Sequence, residues 1–153
     1  MPEQKVLLQE LLPLITARLS AGESFRFNPG GVSMLPMLRP GTDTVVLSPL
    51  PQKLKKYDLP LYRRSSGQFV LHRVIRVGET YTCIGDNQFR KEPGLTHEQM
   101  IGLVTAFVRN GKEHSVTETG YRLYCRLWHY SRGIRLFWRR GKGYLKRKLS
   151  RQG

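Results

Sequence analysis

Phe69-Val70-Leu71-His72-Arg73-Val74-Ile75-Arg76-Val77 is an apolar, β-branched run interrupted by one imidazole. Such density of Val, Ile and Phe favours an extended strand over a helix. Gly67 precedes the run and Gly78 follows it, supplying the reversals that hairpins need. On one continuous strand His72 shares a face with Val70 and Val74, while Leu71 and Arg73 take the other. Outward from this run the same texture recurs at Ser24-Phe25-Arg26-Phe27, at Thr44-Val45-Val46-Leu47, from Leu59 to Tyr62, from Tyr81 to Ile84 and from Met100 to Val108, with Gly111 beyond. The pattern predicts a mostly β domain of coiled antiparallel sheets. Before it, Pro2 to Ser20 place Leu7, Leu11, Leu14 or Ile15, and Arg18 at helical spacing, predicting one amphipathic helix that contains Pro13. The expected organisation is a helix over 1–24, the β domain over 25–112 and a basic aromatic tail over 113–153.

A length of 153 residues suits one domain with appendages, and 39% hydrophobic with 24% charged residues is a globular composition. The net charge of +15 is unevenly spread. From Tyr121 onward there are 11 Lys or Arg and no Asp or Glu, whereas the first 120 residues carry 15 basic against 11 acidic residues. An anionic partner is therefore expected at the tail, either nucleic acid or anionic lipid. There Tyr121, Leu123, Tyr124, Leu127, Trp128, Tyr130, Ile134, Leu136, Phe137 and Trp138 are threaded with arginines. Gly133, Gly141 and Gly143 predict two short helical pieces, and the Lys146-Arg147-Lys148 run a disordered end. Cys83 and Cys125 have neither metal-ligand spacing nor the density of a disulfide scaffold, which points to a reducing compartment and to no metal or other cofactor. The longest apolar stretch, Val6 to Leu19, is broken by Gln9, Glu10, Pro13 and Arg18. Neither a membrane-spanning helix nor a secretory leader is expected, and the cytoplasm is the default location, with peripheral attachment to a membrane surface as the variant.

Three short segments carry candidate chemistry. In Gly31-Val32-Ser33-Met34-Leu35-Pro36 a serine follows a Gly-Gly turn, a setting that can expose a hydroxyl beside free backbone N–H groups. A turn serine bonded to its own backbone is the plain alternative. His72 carries the side chain best matched to proton transfer near neutral pH, although it is equally readable as an ordinary core histidine. Gly85-Asp86-Asn87 follows a strand, and Asp86 either marks a hairpin corner or orients a base.

Their order changes the reading. Ser33-Met34-x-Pro36, Asp58 ahead of a strand, His72-Arg73-Val74, Gly85-Asp86-Asn87 and Ile101-Gly102-Leu103-Val104 together resemble the conserved boxes of type I signal peptidases and their LexA-like relatives. The resemblance covers roughly Phe25 to Val108. His72-Arg73-Val74 is similar to the histidine-base, endoplasmic-reticulum-type branch. The resemblance implies a signal-peptidase-like coiled antiparallel fold, Ser33 as nucleophile, His72 as general base, and the Ser33 N–H as oxyanion donor. Gly31, Met34 and Pro36 are the implied substrate-binding and oxyanion neighbours. The orienting carboxylate implied for this branch falls on Glu92, with Asp86 as rival, and the choice between them stays open.

The leading expectation is a serine endopeptidase that cuts a peptide or protein substrate, after a small residue as the resemblance implies, with the tail resting on an anionic membrane surface. A LexA-like regulatory or nucleic-acid-binding protein is the second reading, although the region before Ser33 is too short for a helix-turn-helix. A degenerate relative that binds peptides without cutting them is the third.

Overall fold

The computed structural model describes residues 2–138, and the side chains from residue 8 onward. Lys146-Arg147-Lys148, Gly141 and Gly143 lie outside the described residues. The protein is mostly β, with two antiparallel sheets and short helices around them. Helix α1 spans Pro2–Ser20 and contains Pro13. The strands are β1 (Phe25–Phe27), β2 (Thr44–Ser48), β3 (Pro60–Arg63), β4 (Phe69–Leu71), β5 (Arg73–Val77), β6 (Tyr81–Ile84), β7 (Glu92–Leu95), β8 (Met100–Arg109) and β9 (Lys112–Ser115). A single 3-10 turn, His97–Gln99, precedes β8, and helix α2 covers Thr119–Tyr130. After a break at Ser131 the backbone is helical again over 132–138, so the interruption falls at Ser131, and Gly133, the expected point, lies within the second helical piece.

The larger sheet runs β1-β2-β8-β3-β4, with β9 also on β8, and the smaller runs β5-β6-β7. Strand β8 is the spine of the larger sheet: β2 pairs along Leu103 to Val108, β3 pairs with Met100 to Leu103, and β9 with Ala106 to Arg109. The β8–β9 hairpin turns on Asn110 and Gly111, both at positive φ, the conformation that a two-residue hairpin turn needs.

The run from Phe69 to Val77 is not one strand. It breaks at His72, with β4 closing the large sheet and β5 opening the small one. Both faces of the β3–β4 hairpin are buried. Leu61 and Leu71, paired across it, face a core with Ile15, Leu19, Met34, Leu38, Leu47, Val104 and Phe107, while Tyr62 and Val70 face a second core with Val74, Tyr81, Cys83, Leu95 and Met100. A strand buried on both sides loses its apolar-polar alternation, so the segment reads as continuous when it in fact changes sheets.

Helix α1 packs through Leu8, Leu11, Ile15 and Leu19; Leu14 is half exposed and Arg18 turns outward to Glu23 at 3.1 Å. Of the expected line Leu11 and Ile15 are on the buried face and Leu14 and Arg18 are not, while Leu19 extends that face. A Cβ on Gly102 would come within 2.9 Å of Leu19 and 2.7 Å of Leu47, so glycine there allows the close approach of helix and sheet. The strand β9 crosses the expected 112/113 boundary. Among the described residues no helix is long and apolar enough to cross a membrane.

Candidate active site

Ser33 lies in the loop between β1 and β2, where Gly31 takes φ +80° and the next residues form successive turns. Met34, Met37 and Leu38 anchor this loop in the first core. Its far end is tied by the buried carboxylate of Asp43, which accepts from the Arg39 N–H at 3.0 Å and from the Arg109 guanidinium at 2.7 Å. Burial opposes the charge, but the two arginines prevail and hold the Asp43 pKa at about 2.

The turn after β6 clasps the serine loop. The Asn87 N–H donates to the Ser33 carbonyl at 2.8 Å, and Asn87 Nδ2 donates to the Val32 carbonyl at 3.1 Å. Gly85, buried at the start of that turn, marks where the three expected segments converge. A Cβ placed on it would lie 2.6 Å from the Ser33 carbonyl oxygen and 3.0 Å from His72 Nε2. Only a residue without a side chain fits between them. Gly85→Ala is therefore expected to destabilise the fold by about 1–3 kcal/mol and to displace the Ser33 loop; denaturant unfolding checks it, and an unchanged midpoint would refute the close approach.

His72 is 1% exposed, at the switch between the two sheets. Its Nδ1 faces Glu92 Oε1 at 3.0 Å and the Tyr62 hydroxyl at 3.2 Å, which leaves Nε2 toward the Gly85 turn. Glu92 opens β7 opposite Cys83, and the β5–β6–β7 register carries it to the imidazole. Arg64, in the turn after β3, grips the same carboxylate through Nε at 2.7 Å and through Nη2. Burial is the main influence on His72 and lowers its pKa from 6.5 to about 4, against the attraction of Glu92. The imidazole is thus neutral, with a lone pair free, through the whole physiological range. For Glu92 burial raises the pKa, but the hydrogen bonds and charge of Arg64 outweigh it and hold the carboxyl below its usual range.

Asp86 has a different place. It is 2% exposed and takes a bidentate pair from Arg73, Nε and Nη2 each at 2.8 Å. The Tyr124 hydroxyl adds a bond to its carboxylate at 3.1 Å, and the Trp128 indole donates to its carbonyl at 2.8 Å. Arg73 also donates to the Tyr57 carbonyl, to the Tyr121 hydroxyl at 2.9 Å and to Cys125. Among the described residues Asp86 makes neither a hydrogen bond nor an ion pair with His72. Of the two rival carboxylates, the fold brings Glu92 to the imidazole and commits Asp86 to Arg73. The inward side of α2 is thereby a clamp on the Gly85–Asn87 turn.

Ser33 borders two clefts. One, of about 650 Å³, has walls from Leu8, Gly31, Met34, Leu38, Phe69 and His72. The other is broader, about 1730 Å³, and runs past Arg63, Arg64, Lys91, Glu92 and Leu136. Gly31 and Met34 line the smaller cleft, whereas Pro36, reached through a cis Leu35-Pro36 bond, lines neither. Among the described residues the Ser33 N–H and hydroxyl have no hydrogen-bond partner within the protein, and no hydrogen bond joins Ser33 to His72. Tyr62 and Arg64 are site residues that the sequence did not single out; the Tyr62↔Val70 pairing of the hairpin was the one signal that could have placed Tyr62 beside His72. Cys83 and Cys125 are buried free thiols, and no group of His, Cys, Asp or Glu among the described residues could hold a metal ion. No family model, curated protein or solved structure matches the chain.

Proposed function

We propose that the protein is a serine endopeptidase of the signal-peptidase and LexA-like kind, with Ser33 as nucleophile, His72 as general base and Glu92 as the group that orients it. The observation that carries this reading is the convergence at Gly85, where the Ser33 backbone and His72 Nε2 both come within reach of a single Cβ position. The box order of the sequence and the two antiparallel sheets around the site support the same fold.

In this mechanism an extended peptide lies across the junction of the two clefts, with apolar side chains against Met34, Leu38 and Phe69. Ser33 Oγ attacks the scissile carbonyl carbon as its proton passes to His72 Nε2. The imidazolium is balanced by Glu92, 3.0 Å from Nδ1. The oxyanion is received by the unpartnered Ser33 N–H. Collapse breaks the C–N bond, His72 protonates the departing amine, and a water activated by the same nitrogen hydrolyses the acyl-enzyme. The Ser33–His72 contact closes when substrate binds, as catalytic hydrogen bonds commonly do. The open contact also favours a second reading, a peptide binder that does not cut.

One experiment separates them: a mixture of unstructured peptides incubated with the full chain across pH and read by mass spectrometry. Cleavage is expected, with kcat/KM on an acid limb near pH 4. The sign follows from burial: His72 is unprotonated above its lowered pKa, so activity holds through neutral pH and is lost as pH falls through about 4. The absence of cleavage at any pH would leave the binder; a limb near 6.5 would remove the buried imidazole from the mechanism.

A further inference from the structure

We infer that the outer face of α2 and the helical residues that follow it form a docking site for an anionic phospholipid bilayer. Leu123, Leu127, Tyr130, Ile134, Phe137 and Trp138 are between 54% and 77% exposed, and they recur at helical spacing of four and three. They lie opposite the residues that clamp Asp86, Tyr124 and Trp128, so this helix is apolar on both sides and has packed only one of them. Six large apolar side chains in one stripe are more than scattered surface residues.

Charge identifies the occupant. Arg122 and Arg126 flank the stripe and are exposed, and no acidic residue follows Glu118. A second copy of this strongly basic segment would repel the first. Nucleic acid would satisfy the arginines and leave Leu123, Leu127 and Ile134 in water, since aliphatic side chains stack on no base. A bilayer surface satisfies both: the stripe sinks to the acyl boundary and the cations meet lipid phosphates.

The other cations of this segment lie on the inward side of the helix. Arg132 has Nε and Nη1 buried without a hydrogen-bond partner, and His129 Nδ1 is in the same condition. Arg135, by contrast, is engaged, donating to the Trp128 carbonyl at 2.8 Å and stacked 3.5 Å over its indole ring. The lipid phosphates are met instead by the exposed Arg122 and Arg126.

The test is sedimentation of the full chain with vesicles of phosphatidylcholine containing phosphatidylserine, against phosphatidylcholine alone, at low and high salt. The protein is expected to pellet with the anionic vesicles and to be released by salt, with a blue shift of tryptophan emission that Trp138→Phe removes. Ile134→Glu with Phe137→Glu should weaken binding by more than roughly tenfold, and Arg122→Ala with Arg126→Ala by roughly fivefold, in variants whose circular dichroism matches the parent. Ser33→Ala should bind vesicles as the parent does, so the result stands apart from the peptidase reading. Equal binding to neutral vesicles, no loss in the glutamate variant, or displacement from vesicles by duplex DNA at equal charge would each overturn the proposal.

Discussion

Ser33→Ala is expected to abolish peptide hydrolysis, lowering kcat by roughly 10³ to 10⁶, while the denaturation midpoint stays within about 0.5 kcal/mol of the parent. The separation of the two effects follows from the geometry. The Ser33 hydroxyl makes no hydrogen bond among the described residues, so its removal costs the fold no contact, whereas the loop is held by its own carbonyl, by Asn87 and by the Met34–Leu38 anchor. His72→Ala should cost activity on the same scale and should also destabilise, because it empties a buried site between two sheets and strips Glu92 and Tyr62 of a partner. If the two side chains share one proton, the double variant is no slower than the worse single one. Rates measured on one peptide for all three variants decide it: turnover retained in Ser33→Ala removes the serine, and multiplicative losses in the double variant would mean that the two act independently.

The strands were legible wherever β-branched residues gather between glycines, as at Thr44–Ser48, Tyr81–Ile84 and Met100–Arg109. Two were not. Glu92-Pro93-Gly94-Leu95 contains both residues that weaken strands, and Lys112-Glu113-His114-Ser115 is charged and polar; each lies at the edge of a sheet, where a missing donor or a solvated side chain is tolerated. Ser33 and His72 could be singled out from local pattern, whereas Glu92 was reached only through the family resemblance, with Asp86 as its rival. That Glu92 rather than Asp86 meets the imidazole depends on the pairing of Cys83 with Glu92 across β6 and β7, a non-local register that no short motif encodes. The clamp of α2 was hidden for another reason. A stretch with 11 basic and no acidic residues reads as solvated, yet Tyr121, Tyr124, Cys125 and Trp128 within it face a buried ion pair.

That ion pair supports the largest stability effect. Asp86→Ala leaves the Arg73 guanidinium buried with its two carboxylate bonds gone, and a buried charge that loses its partner typically costs 3–5 kcal/mol, roughly a third or more of an ordinary domain's stability. Tyr124 loses its acceptor in the same step, so α2 should loosen and Cys125, now buried, should react with a thiol reagent well before global unfolding. Glu92→Gln should do the reverse. The amide keeps its shape and part of its bonding to Arg64, so the stability loss is expected at about 1–2 kcal/mol, while the imidazole loses its counter-charge and kcat falls by roughly 10² to 10⁴. A third variant guards against misreading a simple unfolding: Arg73→Met combined with Asp86→Leu removes both charges together, and replacing a buried pair by apolar groups of similar volume is often neutral, so much of the lost stability should return. Asp86→Ala with parental stability and crippled turnover, alongside Glu92→Gln with full activity, would exchange the two roles. Nothing in the fold favours that exchange, because the carboxylate of Asp86 is already filled by Arg73 and Tyr124, on the α2 side of the turn, while Glu92 stands at the imidazole on the side open to the cleft.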